Sequence, residues 1–286
     1  MSGPRVGTRG SALALAQARP VAEALGGELV VVRSEGGADD KGRWVVGLEH
    51  ALRAGEVDVA VHSAKDVPAE LADGLSLVAA LAREDPRDVL VGALPPDGRV
   101  GTSSLRRAAQ LRAARDDHEV LAMRGNVDTR LRKLDEGAWD GIVLAAAGLR
   151  RLGVDRGEPL DAVPAAGQGI VVLEARSGED VGLRGDAEAE RALRAERTVV
   201  RALGATCRTP LGAHYAEGVL RTWLGLPDGS AWIADEVHGD QEPEALGTIA
   251  AERLFAAGGA ELLEEAERQG SELPEAPASL AEGTPL

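Results

Sequence analysis

The apolar positions along the chain follow two rhythms. Short apolar, β-branched runs read as strands: "PRVGT" (4–8), "ELVVVR" (28–33), "VDVAVH" (57–62), "LSLVAAL" (75–81), "DVLVGA" (88–93), "EVLAM" (119–123), "DGIVLA" (140–145) and "GIVVLEA" (169–175). Between them, apolar residues at three- and four-residue spacing predict helices over about 11–25, 44–54, 104–115, 126–136 and 186–203. This alternation predicts an α/β fold. Pro20 inside the first helical pattern is expected to kink that helix or end it early. Beyond residue 190 the rhythm changes. A long amphipathic helix leads to "VLRTWLGL", the turn "PDGS" and "AWIADEVHG", which read as a hairpin, and then to one helix from Pro243 to Arg268. This α+β segment is expected to be a third domain.

Two turns resemble each other: "VGTRGSALALAQ" from Val6 and "VGTSSLRRAAQ" from Val100. Each passes from a strand through Val-Gly-Thr into a helix start that contains serine. Serine suits the N-cap, and the backbone N–H groups that follow form an anion site. The repeat suggests two similar lobes facing one cleft, with "REDPRDVL" (83–90) as the first crossing between them. "SEGGADDKG" (34–42) offers little to pack and is expected to be a mobile loop. Residues 271–286, rich in Pro, Glu, Ala and Ser, are expected to be a disordered tail.

Charge and composition narrow the function. The net charge of −15 over 286 residues argues against a nucleic-acid partner. Yet Arg106, Arg107, Arg112, Arg115, Arg124, Arg130, Arg132, Lys133, Arg150 and Arg151 concentrate in one region, which suits a small anionic ligand. No apolar run approaches the ~18 residues that span a bilayer, so no membrane partner is expected. A single cysteine leaves no intramolecular disulfide and fits a reducing, cytoplasmic setting. The N-terminal "RVGTRGSALALAQA" reads as strand, turn and helix rather than an export signal. His50, His118, His214 and His238 lack metal-ligand spacing, and no metal is expected. Cys207, in "LGATCRTPLGAHY" (203–215), either fills a small apolar gap or carries an attached group. "VDVAVHSAKDVP" (57–68) ends a buried-looking strand in His62, Ser63, Lys65 and Asp66. That is either a solvated turn or a ligand site at a strand's C-terminal end.

"AVHSAKDVP" resembles the motif of the porphobilinogen deaminase (hydroxymethylbilane synthase) family. Further blocks follow in the family's order over residues 5–216: "TRGSALALAQA", "REDPRDVL", "GTSSLRRAAQL", "MRGNVDTRLRKLD", "AAAGLRRLG", "PAAGQGIVVLEAR" and "ERTVVRALGATCRTPLGAHYA". The resemblance implies three domains: two lobes like those of periplasmic binding proteins (1–86 with 168–188, and 87–167) and a small α+β domain (189–270) carrying the cysteine. It implies a dipyrromethane cofactor in thioether linkage to Cys207. It also implies an enzyme that joins four porphobilinogen molecules head to tail, losing ammonia each time, to release hydroxymethylbilane; the sequence shows no assembly motif, and a monomer is expected.

By motif position the resemblance makes Asp66 the catalytic carboxylate, facing positive charge that develops on pyrrole nitrogen. Lys65, Asp66, Ser104, Arg106, Arg107 and Arg130 would hold the cofactor. Arg9, Ser11, Arg124, Arg130, Arg151 and Gln168 would hold the substrate, whose acetate and propionate groups suit the planar guanidinium fork. Arg112, Arg115 and Arg132 are left as solvated helix charges, and His62 as an organiser of the strand end. Ala205 and Thr206 depart from the pair of glycines usual before the cysteine, and Trp44 stands where phenylalanine is usual. The alternative is a two-lobed protein that binds a small carboxylate without catalysis. A further rival is a family member kept for interaction or regulation.

Overall fold

The apolar runs pair into two five-stranded sheets, followed by a three-stranded one. The structure, a computed structural model, describes residues 3–33, 41–270 and 272–276. The loop expected over 34–42 therefore lies outside the described residues up to residue 40, as does the side chain of Trp44. The first elements are β1 (Arg5–Thr8), α1 (Ala12–Leu25), β2 (Glu28–Val31), α2 (Lys41–Arg53), β3 (Val59–Ser63), a single 3-10 turn (Ala64–Asp66) and β4 (Leu75–Ala80). Next come β5 (Asp88–Gly92), β6 (Gly98–Thr102), α3 (Leu105–Ala114), β7 (His118–Ala122), α4 (Val127–Asp135), β8 (Gly141–Ala145), α5 (Ala146–Arg151) and β9 (Glu158–Pro159). The chain closes with β10 (Val171–Arg176), α6 (Ala187–Ala202), β11 (Leu211–Ala216), β12 (Val219–Gly225), β13 (Trp232–His238), α7 (Pro243–Ala256) and α8 (Gly259–Gln269).

The first sheet has the order β2-β1-β3-β10-β4 and the second β7-β6-β8-β5-β9. In the first, β1 runs parallel to β2 and β3, while β10 is antiparallel to β3 and β4. In the second, β6 runs parallel to β7 and β8, while β5 is antiparallel to β8 and β9. The two orders are the same order. In each lobe the antiparallel strand is the one delivered by a crossing from the other lobe. The short Val-Gly-Thr repeat is the sequence trace of this shared topology. Ser11 and Ser104 hold matching places, each accepting a bond from the backbone N–H three residues on and capping α1 and α3.

Both lobe sheets are covered on two faces, so their strands alternate between two apolar layers. Val59 and Val61 of β3 pack with Ala18, Val21 and Ala22 of α1, whereas Ala60 packs with Leu48 and Leu52 of α2. Ile142 and Leu144 of β8 face Leu131 and Leu134 of α4, and Val143 faces Leu105 and Ala108 of α3. In the third unit, α6 and α7 cover the antiparallel sheet β11-β12-β13 through Val199, Leu220, Leu224, Leu246 and Leu254.

Three sequence expectations change. Pro20 neither ends nor divides α1, which continues to Leu25. It stands on the exposed face while Gln17, Ala18, Val21 and Ala22 are buried, so the sheet holds the helix and water reaches the carbonyl left without a partner. The helix expected from Pro243 to Arg268 is two helices, because the chain turns at Ala257–Gly258, where Gly258 has φ +97°. The tail expected to be disordered from 271 has an ordered piece at 272–276. Leu273 is buried, and the Pro274 carbonyl accepts a 2.8 Å bond from the N–H of Ala122 on the edge strand β7.

Both crossings meet the third unit at one buried carboxylate. Glu196 of α6 accepts bonds from Arg83 of the first crossing at 2.7 and 2.8 Å and from the Gly167 N–H of the second at 2.6 Å. It also accepts from the Tyr215 N–H at 2.8 Å. Burial alone would push its carboxyl up, but Arg83 and His214 outweigh that and hold it below the ordinary carboxylate value. Replacing Glu196 by Ala leaves Arg83 and two backbone N–H groups short of their acceptor. The expected cost is about 3–5 kcal/mol, read as a fall in the urea-unfolding midpoint; an unchanged midpoint would show that the junction carries no such weight.

Candidate active site

A cavity of about 790 Å³ opens where the parallel strands of both lobes end, and residues following β1, β3, β6, β7 and β8 line it. This is where an open α/β sheet leaves its loops and helix starts free to hold a ligand. From the first lobe come Arg9 after β1, Ser11 and Gln17 of α1, and Ser63, Lys65 and Asp66 at the end of β3. From the second come Ser103, Arg107, Arg124, Arg130 and Arg151. The third unit adds Cys207 and Arg208, and the segment after α8 adds Glu272, Leu273 and Glu275.

The 3-10 turn that carries Lys65 and Asp66 is fixed from behind. The Ala64 N–H donates to the Ile170 carbonyl at 2.9 Å. Just before it, buried His62 sets its Nε2 2.9 Å from Oε2 of buried Glu174 on β10. Gly167 (φ +72°) and Gly169 (φ +90°) thread the returning chain through the narrow gap behind this turn. A Cβ at Gly167 would come within 2.8 Å of the Ala64 Cβ, and one at Gly169 within 2.2 Å of the Glu84 carbonyl oxygen. Both positions need the left-handed backbone and a missing side chain.

The wall of the cavity is cationic. Burial pushes the guanidinium groups of Arg9, Arg107 and Arg151 below their usual value, while Asp66 pulls Arg9 back up, Asp88 and to a smaller extent Asp66 pull Arg107 back up, and Glu84 does so for Arg151. All three stay charged at neutral pH, because arginine starts so high. Arg130 is aimed by two bonds, Nε to the Gly125 carbonyl at 2.8 Å and one guanidinium arm to Ser103 Oγ at 2.9 Å. Arg151 donates to the Gly169 carbonyl at 2.6 Å.

Cys207 is exposed on a tight turn between α6 and β11. The helix closes with the Ala205 N–H on the Val200 carbonyl and the Gly204 N–H on the Arg201 carbonyl. The Thr206 N–H then donates to Thr209 Oγ1 at 3.0 Å, and the Arg208 N–H to Thr206 Oγ1 at 3.2 Å. Thr206, where small flexible residues were expected, thus gives the cysteine turn a fixed shape. The thiol does not fill an apolar gap.

Three residues expected as ligand contacts stand outside the cavity lining. Arg106 is buried and spends its guanidinium on Asp88 (2.6 Å) and the Val163 carbonyl (2.9 Å). Ser104 is the α3 cap, and its neighbour Ser103 lines the cavity instead. Gln168 is fully buried. Its amide nitrogen donates to the Pro86 carbonyl and to Asp88, and its oxygen accepts from Lys65 Nζ at 3.0 Å and from Arg107 at 3.4 Å. Arg112, expected as a solvated charge, is half-buried and donates to the Pro227 carbonyl at 2.7 Å, joining the second lobe to the hairpin turn of the third unit. Gln17, Ser103 and Arg208 were not singled out as site residues from the sequence, whereas Ser63 was named at the end of β3. For Gln17 the available signal was a polar residue on the buried face of a helix, and it donates to Ser63 Oγ at 2.8 Å.

The same blocks carry a family assignment. Residues 5–183 match the family model described as porphobilinogen deaminase, dipyromethane cofactor binding domain, and residues 190–256 match porphobilinogen deaminase, C-terminal domain. The chain belongs to the porphobilinogen deaminase family. A porphobilinogen deaminase of Roseiflexus castenholzii is 44% identical over 295 residues, covering 90% of this chain and 97% of that one. The porphobilinogen deaminase of Thermus thermophilus is 43% identical over 293 residues, with the same coverage of both. The family's cofactor is dipyrromethane and its substrate is porphobilinogen. Among the described residues no helix is long and apolar enough to cross a membrane.

Asp88 anchors this cleft from below. Burial pushes its carboxyl up, but Arg106 and Arg107 outweigh burial and hold it well below the usual carboxylate range. With the folded value depressed, the stability Asp88 contributes is complete above about pH 4 and is lost as pH falls further. Asp88→Asn is expected to be less stable at pH 7 and to lose part of the wild type's decline below pH 4. A denaturant series from pH 2 to 7 on both proteins checks this, and parallel curves would sink it.

Proposed function

We propose that this chain is a hydroxymethylbilane synthase, joining four porphobilinogen molecules on a dipyrromethane held by Cys207, with Asp66 as the catalytic carboxylate. One observation carries the reading: a single cavity contains both the exposed Cys207 thiol and Asp66, within a wall of guanidinium groups.

The donor set fits the cofactor. Dipyrromethane bears acetate and propionate groups on both rings, and Lys65, Arg107 and Arg130, which line the same cavity as the thiol, would hold them. When bound, the group supplies the terminal pyrrole carbon to which the first substrate is joined. Arg9, Ser11, Arg124 and Arg151 receive the carboxylates of incoming porphobilinogen. Arg106, Gln168 and Ser104 act one step back. Arg106 and Gln168 hold Asp88, which aims Arg107; Gln168 also orients Lys65; Ser104 caps the helix that carries Arg107.

The aminomethyl nitrogen of porphobilinogen is an ammonium at neutral pH, so it departs as ammonia without a further proton and leaves positive charge delocalised onto the pyrrole nitrogen. The Asp66 carboxylate opposes that charge and can accept the proton that the attacking pyrrole carbon gives up when the new C–C bond forms. The guanidinium wall cannot take over this role, because it repels the developing cation. A carboxylate is therefore needed amid groups chosen to bind anions, and Asp66 between Arg9 and Arg107 meets that need. The protein acts as a cytoplasmic monomer in this reading.

Asp66→Asn is expected to keep the fold and the cofactor while turnover of porphobilinogen falls by about 10²–10⁴-fold. Turnover close to wild type would remove Asp66 from the mechanism. Cys207→Ala is expected to lack the mass of two linked pyrrole units that denatured wild-type protein carries. If the variant still carries that mass, the attachment lies elsewhere. If wild-type protein stays bare after incubation with porphobilinogen, the enzymatic reading falls.

A further inference from the structure

The segment after α8 lies across the mouth of the cavity. The second sheet has β7 as an edge strand, with backbone groups open to pairing. Residues 272–276 take that place: the Ala122 N–H donates to the Pro274 carbonyl at 2.8 Å, and Ala122 bridges Glu275 in parallel. Leu273 is buried with Val100, Leu105 and Val120. On either side of that anchor, two carboxylates meet two arginines of the cavity wall. Glu275 accepts from Arg124 at 2.7 Å, and Glu272 accepts from Arg208, next to Cys207, at 3.4 Å.

We propose that Arg208, together with Arg124, forms a carboxylate-binding subsite at the mouth of the cavity, and that Glu272 and Glu275 of the same chain fill it until the carboxylates of the substrate or growing pyrrole chain displace them. The inference rests on the reading above, since it takes acetate and propionate groups to be the ligands. The chemistry of the two occupants is the same, a carboxylate on a flexible aliphatic arm. The geometry favours exchange. The side chains of Glu272 and Glu275 are 80% and 66% exposed, so their ion pairs are weak and break at little cost. The apolar anchor and the backbone bond are separate from them and keep the acids close at hand. A tethered competitor acts at high effective concentration.

The test is the double variant Glu272→Gln/Glu275→Gln beside Arg208→Gln, with steady-state porphobilinogen turnover measured on each holoenzyme. Removing the two acids is expected to lower KM by about two- to fivefold, in keeping with two exposed ion pairs, with little change in kcat. Arg208→Gln is expected to raise KM. A clasp with only a structural role would move both variants in the same direction, and that result, or an unchanged KM in the double variant, overturns the proposal. Amide exchange over residues 118–123 without substrate supplies a readout independent of turnover. It is expected to match wild type in the double variant, because Leu273 and the Ala122–Pro274 bond hold the segment without the acids; quickened exchange would mean that a lower KM reported an unseated segment rather than a removed competitor, and would overturn the proposal. Wild-type protein that exchanges as expected but fails to consume porphobilinogen would strike down the enzymatic reading and, with it, the identity of the competing ligand.

Discussion

Asp88 lies fully buried at the start of β5, where the chain has just crossed into the second lobe, and a carboxylate taken out of water costs several kcal/mol unless it is closely compensated. The compensation comes from three directions: Arg106 and Arg107 from α3, and the Gln168 amide from the returning crossing. Because Arg107 is committed to Asp88 on one side, its remaining surface meets the cavity in a fixed orientation. Because Gln168 gives its nitrogen to Asp88, its oxygen must face the other way, where it accepts from Lys65. One buried negative charge thus orients cationic groups from both lobes, and orientation is what a cleft for carboxylates needs most, since bidentate pairing fails when the fork is turned.

A protein of net charge −15 would repel a polycarboxylate at long range, yet the cavity wall carries Arg9, Lys65, Arg107, Arg124, Arg130 and Arg151. The two facts are compatible because screening limits the reach of exposed surface charge to about 8–10 Å at ordinary salt. Charges that line a cleft, half-withdrawn from solvent, are screened less and dominate locally. Asp66 is the counterpoint within that field. Its charge acts on Arg9 and Arg107, and it supplies a negative group at the end of β3, where the proposed mechanism uses one.

What could be read from the sequence was local. The short apolar strands, the capping serines, the place of Asp66 after a buried-looking strand and the isolated thiol are each written within a few consecutive residues. What could not be read depends on distant partners. Arg106 and Arg107 are neighbours on a helix, pointing about 100° apart, and only the position of Asp88 decides which of them also reaches the cavity. Gln168 between two glycines was expected to meet the substrate; its burial instead follows from contacts with residues some eighty positions earlier. The tail is polar and rich in proline, so composition argues for disorder. Over residues 272–276, one leucine and one open strand edge overrule it, and neither signals the other in sequence.

The same distinction between buried and exposed contacts bears on how the lobes can move. Glu196 clamps Arg83 and Gly167, one from each crossing, and Asp88 clamps Gln168 to α3. Each is fully buried, and removing a partner from such a pair costs far more than breaking a solvated one. Around the same crossings, Arg150 pairs with Glu84 and Asp85 at 3.0 and 2.9 Å, with its side chain half-exposed. Pairs of that kind are worth a fraction of a kcal/mol to about 1 kcal/mol and exchange readily with water. A change in the angle between the lobes would cost least around Arg150 and the outer residues of the crossings, and one that spared the Asp88–Gln168 and Glu196–Arg83 clusters would leave the aim of Lys65 and Arg107 intact.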